Sequence, residues 1–145
     1  MQPANLPTFQ LGLIGYPLGH SLSPKIHTTS LRSCGLAGDY SLFPIQPDDK
    51  QGLQGLLNRV RAGEIQGLNV TVPYKQNVIS LLDELTPTAQ AIGAVNTIYL
   101  RNNKLVGDNT DASGFLFDLK RFLTLECASK LLHMQEQAPA LQRSA

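Results

Sequence analysis

The chain has no tryptophan and only two cysteines among its 145 residues. Cys34 and Cys127 lie far apart in the sequence, so they are expected to be free thiols and not a structural disulfide. The three histidines, at positions 20, 27 and 133, have no acid or second histidine at the spacing of metal ligands. The sequence therefore predicts neither a disulfide framework nor a metal site.

Strong charge of one sign and long hydrophobic runs are also missing. Twelve lysine and arginine residues nearly balance eleven aspartate and glutamate residues, and the net charge of +1 excludes the basic field of a nucleic-acid binder. No segment approaches the roughly 18 continuous apolar residues that cross a membrane. Residues 1–9 also lack a basic region followed by an apolar run. We therefore expect a cytoplasmic protein with no nucleic-acid or membrane partner.

What the chain does have is a regular alternation of strand and helix patterns. With 145 residues, 42% of them hydrophobic, it can bury one core and is expected to form a single domain. The alternation predicts an α/β fold with a mostly parallel sheet and helices on both faces. Asn102 and Asn103 suit a tight hairpin, so one edge of the sheet is expected to be antiparallel. The expected strands are 9–15, 39–45, 66–72, 95–100 and 104–107, and the expected helices are 24–35, 47–62, 74–83, 87–92 and 111–123.

The segment Gly-Leu-Asn-Val-Thr-Val-Pro-Tyr-Lys (residues 67–75) ends an apolar strand with hydrogen-bonding side chains and one lysine. Pro73 stops the strand because it has no N–H, and it is tolerated where a helix begins. Lys75 then lies in the first helical turn, where a cation opposes the macrodipole and lowers helix stability. A ligand with anionic or hydroxyl groups would explain the lysine, and an ordinary surface charge is the alternative.

Two serines precede the helix that follows the first strand. Ser21 and Ser23 lie just before Pro24, which suits the first position of a helix. Ser23 alone is explained by an N-cap. Two hydroxyls beside the free N–H groups of a helix N-terminus would also suit a carboxylate. The neighbouring His20 and His27 are expected to have structural roles.

Two further polar clusters follow later in the chain. Gly-Ala-Val-Asn-Thr (residues 93–97) places Asn96 at the start of a strand, and Gly-Asp-Asn-Thr-Asp (residues 107–111) places four polar side chains before a helix. Asp108 alone fits a turn, but four polar side chains exceed what a helix cap requires. Because the carboxyl ends of parallel strands form the ligand crevice of α/β sheets, the clusters together predict a small, polyhydroxylated ligand.

In this order and spacing, residues 19–24, 69–75, 93–97 and 107–111 closely resemble the motifs of the shikimate dehydrogenase family. The resemblance covers roughly residues 11–122 and implies the substrate-binding domain of that family, which is followed there by a Rossmann domain that binds NADP. It implies NADP-dependent interconversion of 3-dehydroshikimate and shikimate in chorismate and aromatic amino acid biosynthesis. Relatives in the family also use quinate, and the sequence does not distinguish the two substrates.

The resemblance also implies roles for individual residues. The residues that would hold the substrate carboxylate are Ser21 and Ser23, with Thr71 close by. The residues that would contact the ring hydroxyls are Asn69, Asn96, Lys75 and Asp111. Lys75 and Asp111 would form the catalytic pair that moves the hydroxyl proton as hydride leaves the substrate carbon.

The tail of the chain departs from the family pattern. After Phe122 the sequence holds no glycine, so no dinucleotide fingerprint can be placed there. We therefore expect a substrate-binding domain at 1–123 and an atypical tail at 124–145, from a frameshift, a truncation or a genuinely short protein. Such a chain is expected to bind no NADP and to be inactive without a separate nucleotide-binding lobe. The alternative is a non-catalytic module that binds shikimate or a related hydroxy acid.

Overall fold

A computed structural model describes residues 8–123 of the chain. The chain divides into two compact units, of which the first ends at Asn109 and the second begins at Thr110. The expected tail at 124–145 and Cys127 lie outside the described residues, while Cys34 is a free, exposed thiol. The strands are β1 (Thr8–Gly15), β2 (Ala37–Pro44), β3 (Gly67–Val70), β4 (Glu84–Leu85), β5 (Thr97–Arg101) and β6 (Lys104–Asp108). The helices are α1 (Ser23–Ser33), α2 (Lys50–Arg61), α3 (Tyr74–Asn77), α4 (Pro87–Ile92) and, in the second unit, α5 (Asp111–Phe122).

The strands form one mixed sheet in the order β2-β1-β3-β5-β6-β4. The β1–β2, β1–β3 and β4–β6 pairs are parallel, whereas β5 runs antiparallel to both β3 and β6. The expected hairpin is confirmed: Asn102 and Asn103 have φ of 51° and 60°, as a tight turn between antiparallel strands requires. The expected antiparallel edge is wrong, because β5 lies inside the sheet and β4 covers β6 as a parallel edge strand. The α/β class with a mostly parallel sheet is confirmed.

Helices pack on both faces of this sheet, as the sequence predicts. Neighbouring residues of β1 point to opposite faces, so Ile14 joins the larger core with α2 and Leu13 joins a smaller cluster with Leu18 and Tyr40. The buried residues of α2 follow helical spacing and are Leu53, Leu56, Leu57 and Val60. None of the helices within residues 8–123 is both long enough and apolar enough to cross a membrane.

Two helices begin where the sequence supplies side-chain caps. The carboxylate of Asp49 accepts a hydrogen bond from the Gly52 N–H at 2.8 Å and starts α2. The Thr86 hydroxyl accepts from the Ala89 N–H at 3.3 Å and starts α4, which ends at Gly93 with a φ of 71°. Helix α4 therefore has the expected bounds, whereas α2 begins three residues after its expected start because Asp49 is its cap.

The expected helix at 74–83 is shorter in the structure. Helix α3 is a single turn, a 3₁₀ turn follows at Ile79–Leu81, and the chain then extends into β4. The Asp83 N–H donates to the Leu105 carbonyl at 3.0 Å, which draws the chain onto β6. A strand of two residues is too short to show a periodic pattern in the sequence. The apolar pattern of residues 78–82 therefore predicts a continuing helix, and only the pairing with β6 reveals the strand.

Candidate functional site

The connection between β1 and α1 places two serine hydroxyls at the start of a helix. Strand β1 ends at Gly15, and a turn bonded from the Ser21 N–H to the Leu18 carbonyl at 3.0 Å leads into α1. The N-cap of α1 is Leu22, and it makes no side-chain cap bond. The Ser21 hydroxyl accepts from the Ser23 N–H at 3.3 Å. The expectation that Ser23 is itself the N-cap is therefore wrong, because Ser21 serves the backbone and Ser23 is the first helical residue.

Both serines and Thr71 line one pocket of about 490 Å³. Strand β3 continues beside β1 at this end, since the Thr71 N–H donates to the Ile14 carbonyl at 2.9 Å. Three residues that the sequence assigns to carboxylate binding are thereby brought together at the carboxyl ends of two parallel strands. The rest of the lining is Leu13, Pro17, Leu18, Gly19, His20 and Val72.

The charges around the pocket suit an anion. Helix α1 has 11 residues, and its first turn contains no acidic residue. Its N-terminus carries positive partial charge and backbone N–H groups that lack partners within the helix. With two half-buried hydroxyls beside it, this end of α1 can hold a carboxylate by neutral donors.

A chain of polar side chains runs across the same face of the sheet. The Tyr40 hydroxyl donates to Asn69 Oδ1 at 2.8 Å, and Asn69 Nδ2 lies 3.5 Å from Thr97 Oγ1. Thr97 Oγ1 in turn lies 2.9 Å from Asn96 Oδ1. The two predicted amides therefore belong to one network. Asn69 and Thr71 share a face of β3, because side chains two residues apart in a strand point the same way.

Sequence reasoning missed Tyr40 and Thr97, the other two members of this network. Thr97 directly follows Asn96 in a motif that the sequence does single out, but its contact with Asn69 depends on the β3–β5 register. Tyr40 gives no polar signal in the sequence, because it reads as an apolar residue of a buried strand. Burial raises the pKa of Tyr40 to about 12, although a hydrogen bond with the Ser23 side chain opposes the shift.

Lys75 lies on α3, which is anchored to the rest of the first unit on both sides. The preceding Tyr74 is buried, and its hydroxyl contacts the Ile45 and Gln46 carbonyls at 2.8 and 2.7 Å. The Lys75 carbonyl accepts from the Val95 N–H at 2.7 Å. The backbone that carries the lysine is therefore fixed to the segment that leads to the buried Asn96.

Asp111 belongs to the second unit, where it is the exposed first residue of α5. A carboxylate there is favourable for the helix, because it faces the positive end of the macrodipole. The pairing of Asp111 with Lys75 stays a prediction.

Asp108 has a structural role. Its Oδ1 accepts from the Thr86 hydroxyl at 2.6 Å and from the Asn109 N–H at 2.7 Å. The buried Asn109 donates from Nδ2 to the Ala94 carbonyl at 2.9 Å. These bonds join the end of β6 to α4 and to the segment before Asn96. The expectation that Asp108 is a turn residue is wrong, because it pairs with Thr97 as the last residue of β6.

A second cavity of about 490 Å³ lies between α2 and the α3 region. Two of its polar side chains already serve the fold: the Asp49 carboxylate caps α2, and the Tyr74 hydroxyl bonds backbone carbonyls. Within residues 8–123, no three His, Cys, Asp or Glu side chains cluster as metal ligands. The serine and threonine pocket is therefore the better candidate site.

The start of α1 does not fit a dinucleotide. The connection from β1 to α1 is the place where a Gly-x-Gly-x-x-Gly turn would bring the backbone close to a pyrophosphate. Here it carries Pro17 and Leu18 between Gly15 and Gly19. This connection therefore lacks the glycine turn that a pyrophosphate would need.

The fold and the pocket define an α/β domain with a polar pocket at its strand ends. Residues 13–98 match the family model described as the shikimate dehydrogenase substrate binding domain. The chain belongs to this family, and the resemblance seen in its motifs is confirmed.

Similar proteins agree with this assignment. A shikimate dehydrogenase (NADP(+)) of Oleidesulfovibrio alaskensis is 43% identical over 88% of this chain and 44% of its own length. The enzyme of the same name from Clostridium beijerinckii is 50% identical over 72% of this chain and 37% of its own length. The structure of shikimate 5-dehydrogenase from Thermus thermophilus in complex with NADP(H) and shikimate superposes with a TM-score of 0.70 at 41% identity. It is matched over 78% of this chain and 42% of that one. The chain thus spans about two fifths of the length of these relatives.

Proposed function

We propose that residues 8–123 bind shikimate and 3-dehydroshikimate as the substrate-binding part of an NADP-dependent shikimate dehydrogenase of the cytoplasm. The observation that carries the proposal is the meeting of Ser21, Ser23 and Thr71 in one pocket at the carboxyl ends of β1 and β3. The family to which the chain belongs supplies the class of substrate.

The carboxylate half of the substrate would lie against the start of α1. The Ser21 and Ser23 hydroxyls and the backbone N–H groups of the first helical turn would donate to its oxygens, with Thr71 on the facing strand. Leu13 and Leu18 form an apolar wall of the pocket against which a carbon ring can pack.

The ring hydroxyls would lie toward the amide network and Lys75. Asn69 and Asn96 would orient the ring, and Lys75 with Asp111 would move a proton. Oxidation of a secondary alcohol removes the hydroxyl proton as hydride leaves, and the reverse reaction needs a donor to the developing alkoxide. A lysine beside a carboxylate can serve both directions. NADP would accept the hydride, and we expect a nucleotide-binding lobe other than residues 8–123 to hold it.

The test is a titration of the purified chain with shikimate, monitored by NMR, with quinate and NADP titrated in parallel. We expect resonances of Ser21, Ser23 and Thr71 to shift with shikimate, and we expect no shift with NADP. Ser23→Ala should weaken binding at least fivefold, the loss of roughly one hydrogen bond to a charged group. Ser33→Ala is the matched control, because it removes an exposed serine hydroxyl at the other end of the same helix.

Affinity should be weak because one face of the ligand would remain in water when this domain acts alone. We expect a dissociation constant in the millimolar range, which corresponds to about 4 kcal/mol. Micromolar binding would contradict this expectation. No shift of the pocket resonances in a folded chain would reject the substrate assignment.

Catalysis is tested separately by combining the chain with the nucleotide-binding lobe of a relative. Lys75→Ala and Asp111→Asn should then abolish turnover while shikimate still binds. The wild-type chain combined with the lobe could bind shikimate and NADP and yet give no turnover. In that case the chain is a binding module and not part of an enzyme.

A further inference from the structure

Tyr40 lies behind the candidate pocket and is held from two sides. Its side chain is only 8% exposed and comes from β2, which contributes no residue to the pocket lining. The His27 ring of α1 stacks on it, with centroids 4.4 Å apart and planes 3° from parallel. Its hydroxyl donates to Asn69 Oδ1 at 2.8 Å. Tyr40 thus connects the helix that begins at Ser23 to the strand that carries Asn69.

The hydrogen bond that Tyr40 donates to Oδ1 goes with one orientation of the Asn69 amide. Because the phenolic hydroxyl has one proton and the carboxamide oxygen accepts it, Oδ1 points toward β2 and Nδ2 points away from it. Asn69 Nδ2 lies 3.5 Å from Thr97 Oγ1, which is too long for a strong bond. The amide therefore presents N–H donors, and not its carbonyl oxygen, on the side away from Tyr40.

The same hydroxyl also lies close to the other half of the site. The Ser23 side chain is near enough to oppose the effect of burial on the Tyr40 pKa, so the phenol lies near a residue of the carboxylate half as well as bonding Asn69. The stack on His27 restricts the ring and so helps to hold the hydroxyl at Asn69.

We propose that Tyr40 is a positioning residue of the substrate pocket, whose hydroxyl orients Asn69 so that its amide donates to an oxygen of the ligand. The inference rests on the proposed function and extends it. The site selects a ligand with an acceptor oxygen, a hydroxyl or a keto group, opposite Asn69. Tyr40 itself contacts no ligand atom.

The test is Tyr40→Phe, which removes one hydroxyl and keeps the ring that stacks on His27. We expect the resonances of the two Asn69 side-chain amide protons to shift in the ligand-free chain. The two protons should also exchange with each other faster, because Asn69 Oδ1 no longer accepts a hydrogen bond from the Tyr40 hydroxyl. We also expect the dissociation constant for shikimate to rise roughly five- to tenfold, in line with the loss of one hydrogen bond. Tyr99→Phe is the control, since Tyr99 lies on β5, next to the strand that carries Asn69. It should change neither quantity.

The outcomes separate this inference from the proposed function. If the wild-type chain fails to bind shikimate, the proposed function fails, and the Asn69 resonances still decide the role of Tyr40. Unchanged Asn69 resonances in a folded Tyr40→Phe variant overturn the inference. So does a Tyr40→Phe variant that binds shikimate as tightly as the wild type. If Tyr40→Phe does not fold, Asn69→Ala replaces it. The Tyr40 ring resonances should then shift while the His27 ring resonances do not, and unmoved Tyr40 resonances overturn the inference.

Discussion

The Ser23 hydroxyl can serve a ligand because its neighbour serves the helix. Ser21 Oγ accepts the Ser23 N–H, which is one of the backbone donors that a helix start leaves without an intrahelical partner. A serine that caps its own helix has its oxygen turned toward the backbone, whereas Ser23 is the first helical residue and lines the pocket. Two serines separated by one residue thus have different roles, although the sequence presents them alike.

This division predicts different effects for two substitutions of the same kind. Ser21→Ala should lower the free energy of unfolding by about 0.5–1 kcal/mol, because it removes a cap-like acceptor at a long bond distance. Ser23→Ala should change stability by less than about 0.5 kcal/mol and yet weaken shikimate binding. Chemical denaturation and the NMR titration measure the two effects. Equal destabilisation by both variants would show that Ser23 is also part of the cap.

At the scale of elements, β1 is the strand on which the site depends most. It lies between β2 and β3 and is paired parallel with both. It needs glycine at position 12, where an added Cβ would come within 2.4 Å of the Phe43 ring and 2.7 Å of the Ser41 carbonyl oxygen. The backbones of β1 and β2 therefore approach each other more closely on this side than an alanine would allow.

Gly12→Ala should accordingly destabilise the domain by about 1–3 kcal/mol, the usual cost of overpacking a well-packed site. Gly55→Ala is the matched control, since its added Cβ on α2 would meet no atom within 4 Å. That variant should be stabilised by roughly 0.5–1 kcal/mol, because alanine is the better helix former. Urea unfolding curves measure both changes. A neutral Gly12→Ala would mean that Phe43 moves aside at little cost.

The elements also show what the sequence could and could not predict. Strand β1 and helices α4 and α5 could be predicted from local signals. These signals are the apolar patterns, the caps Thr86 and Gly93, and the polar residues at strand ends. Strand β4 and the internal position of β5 depend on which strands become neighbours, and no local pattern carries that information. The same holds within the site: Ser21, Ser23 and Thr71 could be named from their motifs. The contact of Tyr40 with Asn69 required the order β2-β1-β3.

At the scale of the whole molecule, partly exposed ion pairs connect distant parts of the first unit. Arg61 at the end of α2 donates to both carboxylate oxygens of Asp83 at 2.7 and 2.9 Å. Asp83 also accepts the Leu105 N–H of β6 at 2.7 Å. Glu84 on β4 accepts from Lys104 at 2.6 Å. These bonds hold the short edge strand, which has few backbone bonds of its own, against both α2 and β6.

The pKa values of both carboxyls are lowered by these contacts. The hydrogen bond from Arg61 and then the Leu105 N–H lower the pKa of Asp83 below its ordinary 3.8. The hydrogen bond from Lys104 lowers the pKa of Glu84 below 4.5. In this acidic range the unfolded chain binds more protons than the folded one, so stability rises with pH. The contribution is complete above about pH 4.5 and is lost as the pH falls through the lower pKa values of the folded state.

We therefore expect the thermal midpoint of the chain to fall as the pH is lowered from 4.5 toward 3, as measured by circular dichroism at constant ionic strength. Asp83→Asn should have a lower midpoint than the wild type at pH 7, since it cannot form the paired bonds to Arg61. Its midpoint should fall less steeply in acid, because one of the two carboxyls with a lowered pKa, Asp83 and Glu84, has been removed. Asp118→Asn is the control: this carboxylate lies 3.9 Å from Arg121 with both side chains 68% exposed, and exposed pairs contribute little. The plots of thermal midpoint against pH for Asp83→Asn and the wild type could instead stay parallel down to pH 3. In that case the Asp83 side chain does not connect β4 to the rest of the fold. The backbone bond from the Asp83 N–H to the Leu105 carbonyl must then hold this edge of the sheet.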